Sequence, residues 1–271
     1  MDLIKAIIIA IVEGITEFLP ISSTGHMIIT SSIMGIEKDD FTKLMEVAIQ
    51  FGAILAVIVL YRNKFFAFKD WKFYLKLIIG VIPALVLGYA FSDKIDELLE
   101  SPLTVAITLI LGGIVLVFID GFFKTQTIST EPEISNKNAL SIGFWQTIAM
   151  IPGVSRSAAS IIGGMQQKLT RELAAEFSFF LAVPTMAAAT LYSLFLKHYH
   201  QNGVEAKGYE LILSSTQNLT AFIVGNVVAF VVALVAIKFL IRYLQKHGFK
   251  VFGYYRVVIG IVIIVFLKYW N

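Results

Sequence analysis

The chain has 271 residues, 57% of them hydrophobic and only 15% charged, and its mean hydropathy is +0.79. Soluble domains carry charge on about a quarter of their residues, so the composition excludes an ordinary soluble domain and points to the membrane class. A net charge of +3 is small for a nucleic-acid footprint, and the lack of cysteine rules out disulfides and thiolate metal sites.

The first stretch, MDLIKAIIIAIVEGITEF, starts like a signal peptide. Its start is acidic, however, and its apolar run leads into Glu13 rather than a small-residue cleavage site, so it is expected to stay as structure. Residues 3–34 are long enough for two short helices, but FLPISSTGH breaks them near the middle. Apolar segments near the 20 residues that a span needs follow at 43–61, 74–91 and 103–123. A second broken stretch, 139–166, is interrupted by MIPGVSRSA, and further spans are predicted at 172–196, 219–241 and 254–270. Broken backbone at membrane depth survives only where it is buried in protein or lines a wet cavity. Both broken stretches therefore read as re-entrant helical hairpins.

The two halves are alike. Ser23 follows Pro20 by three residues, as Ser155 follows Pro152, and EVAIQFGAILAV (46–57) has a counterpart in EFSFFLAV (176–183). Each half holds one hairpin and three spans, and an odd number of crossings turns the second half upside down. The predicted fold is an all-α polytopic membrane protein, a single integral membrane domain over 1–271. Six transmembrane helices and two re-entrant hairpins form an inverted-topology repeat of approximately 1–123 and 139–270, a design that places sites near the midplane. Loop 62–73 carries Arg62, Lys64, Lys69 and Lys72, and loop 242–253 carries Arg242, Lys246 and Lys250, whereas loop 92–102 is acidic. The positive-inside rule puts the first two loops in the cytoplasm, although segment 197–218 adds two lysines to the other side.

The polar chemistry concentrates at the breaks. Glu13 and Glu17 are four apart and share a helix face; carboxylates at membrane depth call for a metal, a basic role or a cationic partner. PISSTGH (20–26) predicts a helix start near Pro20, with Ser22, Ser23 and Thr24 suited to capping. The free N–H groups of such an end favour an anion, phosphate above all. Ser23 and His26 are three apart and can face one point. Either the imidazole assists attack by the hydroxyl, or His26 protonates a leaving oxygen; the plain alternative is a cap beside a packed imidazole. In PGVSRSAAS (152–160) a second helix opens, with Ser155, Ser157 and Ser160 near its start. Arg156 needs an anion at that depth, and its fork matches phosphate bidentately; the structural alternative is an ion pair with Glu13 or Glu17.

Together these residues describe a pyrophosphate pocket. Glu13, Glu17, Ser23, His26 and Arg156 are the catalytic candidates, and Ser22, Thr24, Gly153, Ser155, Ser157 and Ser160 the phosphate-binding ones. Glu46 and Gln50, four apart, are further cavity-lining candidates, with Glu176 as the counterpart of Glu46. Asn226 is expected to bond a neighbouring helix, Asp120 to reach the interface, and Arg171 and Glu172 to sit at a span end. Glycines 80, 88, 112, 113, 163 and 164 are expected at close helix contacts. His198, His200 and His247 fall in polar loops without ligand spacing.

EGITEFLPISSTGH and PGVSRSAASIIGGM resemble the two signature regions of the bacterial undecaprenyl-diphosphatase family, the bacitracin-resistance type. The likeness runs over nearly the whole chain, including EVAIQFGAILAV and EFSFFLAVP. It implies a multi-pass enzyme of the bacterial plasma membrane that hydrolyses undecaprenyl diphosphate, the carrier lipid released by cell-wall polymerisation, to undecaprenyl phosphate and phosphate. It also implies bacitracin resistance, a homodimer, and a divalent cation, Mg²⁺ or Ca²⁺. The family's E-x-x-x-E motif maps to Glu13 and Glu17, which become the candidate metal ligands, its serine to Ser23 and its histidine to His26. Its P-G-x-S-R-S motif maps to Pro152 through Ser157, with Arg156 as the arginine. The pattern usually ends in Thr, where this chain has Ser160; a hydroxyl is kept, and only fine positioning differs. The residues alone indicate an anion site with a candidate nucleophile; undecaprenyl comes only from the resemblance.

The expected reaction has the diphosphate entering from the outer leaflet, Arg156 and the helix ends holding it, Ser23 attacking and His26 managing the proton. His26 or water as nucleophile is the alternative chemistry, and a transporter or flippase for a lipid phosphate the alternative function.

Overall fold

Six helices are long and apolar enough to cross a membrane: Asp40–Leu60, Trp71–Ala90, Pro102–Phe122, Arg171–Phe195, Thr216–Leu244 and Lys250–Lys268. They come from a computed structural model, which describes every residue except 92–93, 96–97, 99–100, 202–203 and 271. Each overlaps a predicted span and starts one to four residues before it, because capping residues sit outside the apolar run. Ser101, Thr170 and Ser215 accept the backbone N–H of Thr104, Leu173 and Asn218, the usual way to satisfy a helix start. Many residues on the outer faces of these helices are apolar and exposed, among them Ile78, Ile82, Leu111, Phe118, Val231 and Val235. With no water to drive their burial, such faces suit lipid, and the chain is a multi-pass membrane protein.

In chain order the helices are α1 (Leu3–Thr16), α2 (Ser23–Ile33), α3 (Asp40–Ala48), α4 (Gln50–Leu60), α5 (Arg62–Phe65), α6 (Trp71–Ala90), α7 (Pro102–Phe122), α8 (Asn136–Thr147), α9 (Arg156–Gln166), α10 (Arg171–Phe195), α11 (Gly208–Leu213), α12 (Thr216–Leu244) and α13 (Lys250–Trp270). Segment 197–218, read from sequence as a polar loop, holds α11 and a two-stranded antiparallel hairpin, β1 (His198–Gln201) and β2 (Val204–Lys207). Alternation on β1 lets His198 pair with Glu205 at 2.9 Å. Loop 92–102 falls largely outside the described residues.

Packing joins distant parts of the chain. α7 lies along α13, α1 along α12, and α6 along α8. At the first contact a Cβ on Gly113 would come within 2.8 Å of the Gly253 carbonyl oxygen, and one on Gly253 within 2.7 Å of that of Gly113, so the two backbones meet where neither carries a side chain. Gly88 is the exception among the predicted contact glycines, meeting only the Met150 methyl at 3.5 Å. α3 and α4 form one span interrupted at Ile49. Asn226 on α12 accepts the Gly52 N–H at 2.8 Å, supplying the acceptor that the interruption takes away.

Neither break starts its helix at the proline. α2 begins at Ser23 and α9 at Arg156, each behind a serine in the left-handed region: Ser22 at φ 72° and Ser155 at φ 75°. Each serine oxygen accepts the N–H three residues on, from Gly25 and Ala158. The equal Pro-to-Ser spacing noted in the sequence therefore misaligns the breaks by one residue. As caps, Ser22 matches Ser155, and Ser23 holds the position of Arg156.

Candidate active site

The breaks meet around a cavity of about 220 Å³, walled by residues 22–24 of the first break and Pro152, Gly153, Ser155 and Arg156 of the second together with Glu17, Gln50, Ile95, Thr185 and Met186. Both α2 and α9 present their N-terminal turns to it. These are the positive ends of two helix dipoles, with N–H groups beyond the reach of intrahelical acceptors.

Glu17 organises the wall. It closes the turn after α1, its N–H bonded to the Glu13 carbonyl at 2.9 Å. Ser23 Oγ donates to Glu17 Oε2 at 2.5 Å, and Arg156 Nη2 donates to Glu17 Oε1 at 2.7 Å. The other Arg156 amino group, Nη1, donates to the Ser178 carbonyl at 2.8 Å. Its Nε is buried without a protein acceptor. One carboxylate thus joins the candidate nucleophile to the candidate clamp, and the guanidinium keeps a donor for something else. The arginine–glutamate pair weighed from sequence exists, and it is with Glu17.

Glu13 lies one turn back, fully buried, with both carboxylate oxygens lacking a hydrogen-bond partner. A hard cation with oxygen ligands suits such a group, and Mg²⁺ in particular uses one or two carboxylates while taking its remaining ligands from phosphate and water. No cluster of three or more His, Asp or Glu side chains able to hold a metal exists among the described residues, so the chain offers this two-carboxylate arrangement and not a closed protein cage.

His26 does not reach Ser23. Its Nδ1 stands 2.7 Å from the Ser22 carbonyl oxygen; a carbonyl only accepts, so Nδ1 carries the proton. Its Nε2 stands 2.8 Å from the Tyr255 hydroxyl, and the two rings stack with centroids 5.6 Å apart. The expected Ser–His pairing is replaced by Ser23–Glu17, because residues three apart on α2 diverge enough for the hydroxyl to turn toward α1 and the ring toward α13.

Gln50, Ser22, Thr24, Gly153 and Ser155 line the cavity as expected. Ser157 and Ser160 do not. Ser157 Oγ donates to the Phe18 carbonyl at 2.8 Å, stitching the two breaks together. Ser160 Oγ lies 2.8 Å from the Arg156 carbonyl and 2.6 Å from Ser178 Oγ. Glu46 is off the cavity wall, with Oε1 buried and unpartnered. Glu176 accepts from the Tyr61 hydroxyl at 3.3 Å. Asp120, near the end of α7, pairs with Arg171 at 2.6 Å and accepts the Phe249 N–H at 2.8 Å.

Three participants were missed in the sequence. Ser178, inside an apolar span, gave no signal. Tyr255, near the start of a predicted span, gave none either. Arg256 gave one: it is an arginine inside a predicted span, where a charge demands a reason.

The model of the family described as bacitracin resistance protein BacA matches residues 6–262. The chain belongs to that family. Similar proteins include the undecaprenyl-diphosphatases of Flavobacterium psychrophilum, 58% identical over 264 residues covering 97% of this chain and 95% of the relative, and of Flavobacterium johnsoniae, 54% identical over 265 residues covering 97% and 96%. That of Porphyromonas gingivalis is 47% identical, covering 98% of this chain and 97% of its own.

Proposed function

We propose that this protein hydrolyses undecaprenyl diphosphate to undecaprenyl phosphate and inorganic phosphate, returning the carrier lipid to cell-wall synthesis and giving resistance to bacitracin. Membership of the BacA family and full-length likeness to undecaprenyl-diphosphatases support the activity. The bond set Ser23–Glu17–Arg156 in a cavity between two helix N-termini is the observation that carries the chemistry.

Arg156 and the N-terminal turns of α2 and α9 bind the terminal phosphoryl oxygens. Ser23 Oγ attacks the terminal phosphorus while Glu17 Oε2 takes its proton. The bond from phosphorus to the bridging oxygen breaks, and undecaprenyl phosphate leaves with the proton from Glu17, which returns to its carboxylate form. Water, deprotonated by that carboxylate, then attacks the phosphoserine; the bond from phosphorus to Ser23 Oγ breaks, phosphate departs, and Glu17 returns the proton to Ser23. Catalysis of this kind is mostly positioning and charge stabilisation. Glu13, with Glu17, would hold a divalent cation, which when bound supplies further positive charge to the diphosphate. His26, tied to the Ser22 carbonyl and Tyr255, holds the cap at the start of α2.

The fold supports the re-entrant, inverted-repeat reading. Each break is capped by a left-handed serine, α1 packs on α12 as α8 packs on α6, and α7 meets α13. Ile95, which lines the cavity, lies past the end of α6, away from the lysine-rich 62–73 loop at its start. A cytoplasmic lysine-rich side therefore opens the site to the outer face of the plasma membrane.

The test is phosphate release from undecaprenyl diphosphate by detergent-solubilised protein, with and without a chelator. Without compartments, release demands an enzyme; binding without release would favour transport and reject hydrolysis. Chelator-sensitive release restored by Mg²⁺ or Ca²⁺ supports the cation, and chelator-indifferent release removes it.

A further inference from the structure

Arg256, on α13, is fully buried and is the bulkiest of the fully buried side chains. All five of its N–H donors meet backbone carbonyls. Nε donates to Leu109 at 3.4 Å; Nη1 to Pro20 at 3.2 Å and Val154 at 2.9 Å; Nη2 to Thr108 at 3.2 Å and Gly153 at 2.8 Å. One planar fork thereby grips the first break, the second break and α7. No carboxylate pairs with it among the described residues, so its charge is solvated by peptide dipoles and not cancelled. Arg256 is absent from the cavity wall, yet Gly153, whose carbonyl it holds, lies on that wall.

We propose that Arg256 is a positioning residue for the phosphate site, fixing the backbone of both breaks and placing a second, uncancelled positive charge behind the anion. This rests on the phosphate reading of the cavity. The peptide bonds are trans, so a carbonyl turned toward Arg256 turns the next N–H the other way. The Val154 carbonyl faces Arg256; the N–H of Ser155, a wall residue, therefore points away from it. At Pro20 and Gly153 the following N–H groups close local turns onto Leu19 and Ile151. A buried guanidinium is costly, and five neutral acceptors shared among three elements are what keep it there. Removing it releases carbonyls on both sides of the cavity at once.

The experiment uses the full chain in detergent, with Arg256→Lys, Arg256→Gln and Gly112→Ala. A Cβ on Gly112 would collide with the Arg256 fork, reaching 2.9 Å from its Cζ, so that variant displaces the guanidinium without deleting it and stands in if the arginine variants fail to fold. Phosphate release per folded molecule and thermal protection by inorganic phosphate are both measured. Arg256→Lys keeps the charge but cannot span three elements, so kcat falls on the order of 10²-fold while phosphate still protects. Arg256→Gln loses that protection as well. Gly112→Ala lowers kcat about tenfold, a misplacement effect smaller than outright loss of the fork. Unchanged kcat, KM and protection in the folded variants, with only a lower melting temperature, would reduce Arg256 to a brace and overturn the proposal. If the wild type releases no phosphate, hydrolysis fails as a reading, and protection by inorganic phosphate still decides the role of Arg256.

Discussion

Glu17 and Arg156, 139 residues apart in the chain, meet at 2.7 Å with side chains only 6% and 14% exposed. The same carboxylate holds Ser23 through its other oxygen. A pair so placed is poor evidence for stability on its own, since desolvation offsets attraction. What it does is couple the proposed base to the proposed clamp through one carboxylate.

Glu17→Gln keeps the shape of the wall and removes the proton acceptor. Phosphate release is expected to fall about 10²–10⁴-fold, the usual range for a lost general base, and Ser23→Ala to fall at least as far. Quenched-flow trapping should find phosphate covalently bound to Ser23 in the wild type and none in Ser23→Ala. Near-normal turnover by Ser23→Ala would leave water or His26 as the nucleophile.

Arg156→Lys replaces a fork by a point charge. Glu17 and the Ser178 carbonyl are held by different nitrogens of the fork, and an ammonium, whose three donors sit on one nitrogen, cannot span both and also meet substrate. KM is expected to rise about tenfold or more, matching loss of at least one charge-assisted hydrogen bond. Steady-state kinetics on solubilised protein check it, and an unchanged KM removes the clamp.

Tyr255→Phe deletes one neutral hydrogen bond to His26 Nε2 and keeps the ring stack. A loss of about 1 kcal/mol corresponds to roughly fivefold in rate if His26 only holds the Ser22 cap. His26→Ala removes both contacts and is expected to cost more. A Tyr255→Phe effect equal to that of Glu17→Gln would return the proton-handling role to His26.

Away from the site, Glu131 ties its loop to α6. It accepts from Lys76 at 2.8 Å, with both side chains buried, and from Lys64 at 3.0 Å. Glu131→Ala leaves the Lys76 charge buried on α6 without its carboxylate, a change that costs about 3–5 kcal/mol. The melting temperature should drop while KM stays at the wild-type value. A lowered kcat/KM for the folded fraction would mean that this loop reaches the site.

Much of the architecture is legible because its causes are local. Apolar runs of membrane length gave six spans, and two proline breaks marked where the chain must find protein or water. Helical spacing put Glu13 and Glu17 on one face. Arg156 could be read as needing an anion or a carboxylate partner, since a guanidinium at membrane depth is costly unless polar groups satisfy it. The cap register failed by one residue, because the left-handed turns at Ser22 and Ser155 depend on surroundings that proline spacing does not encode.

Partner choice was decided by tertiary structure alone. Ser23 lies three residues from His26 and six from Glu17 along the chain, yet it bonds Glu17, because the chain folds back through residues 18–21 and brings the end of α1 against the start of α2. Arg256 stands 236 residues from Pro20; α13 brings it there only because Gly113 and Gly253 let α7 and α13 approach backbone to backbone. The sequence by itself determines which residues carry charge into the membrane. The packing of helices against one another determines which groups those charges meet, since that distance is set by side-chain volumes at contacts far away in the chain.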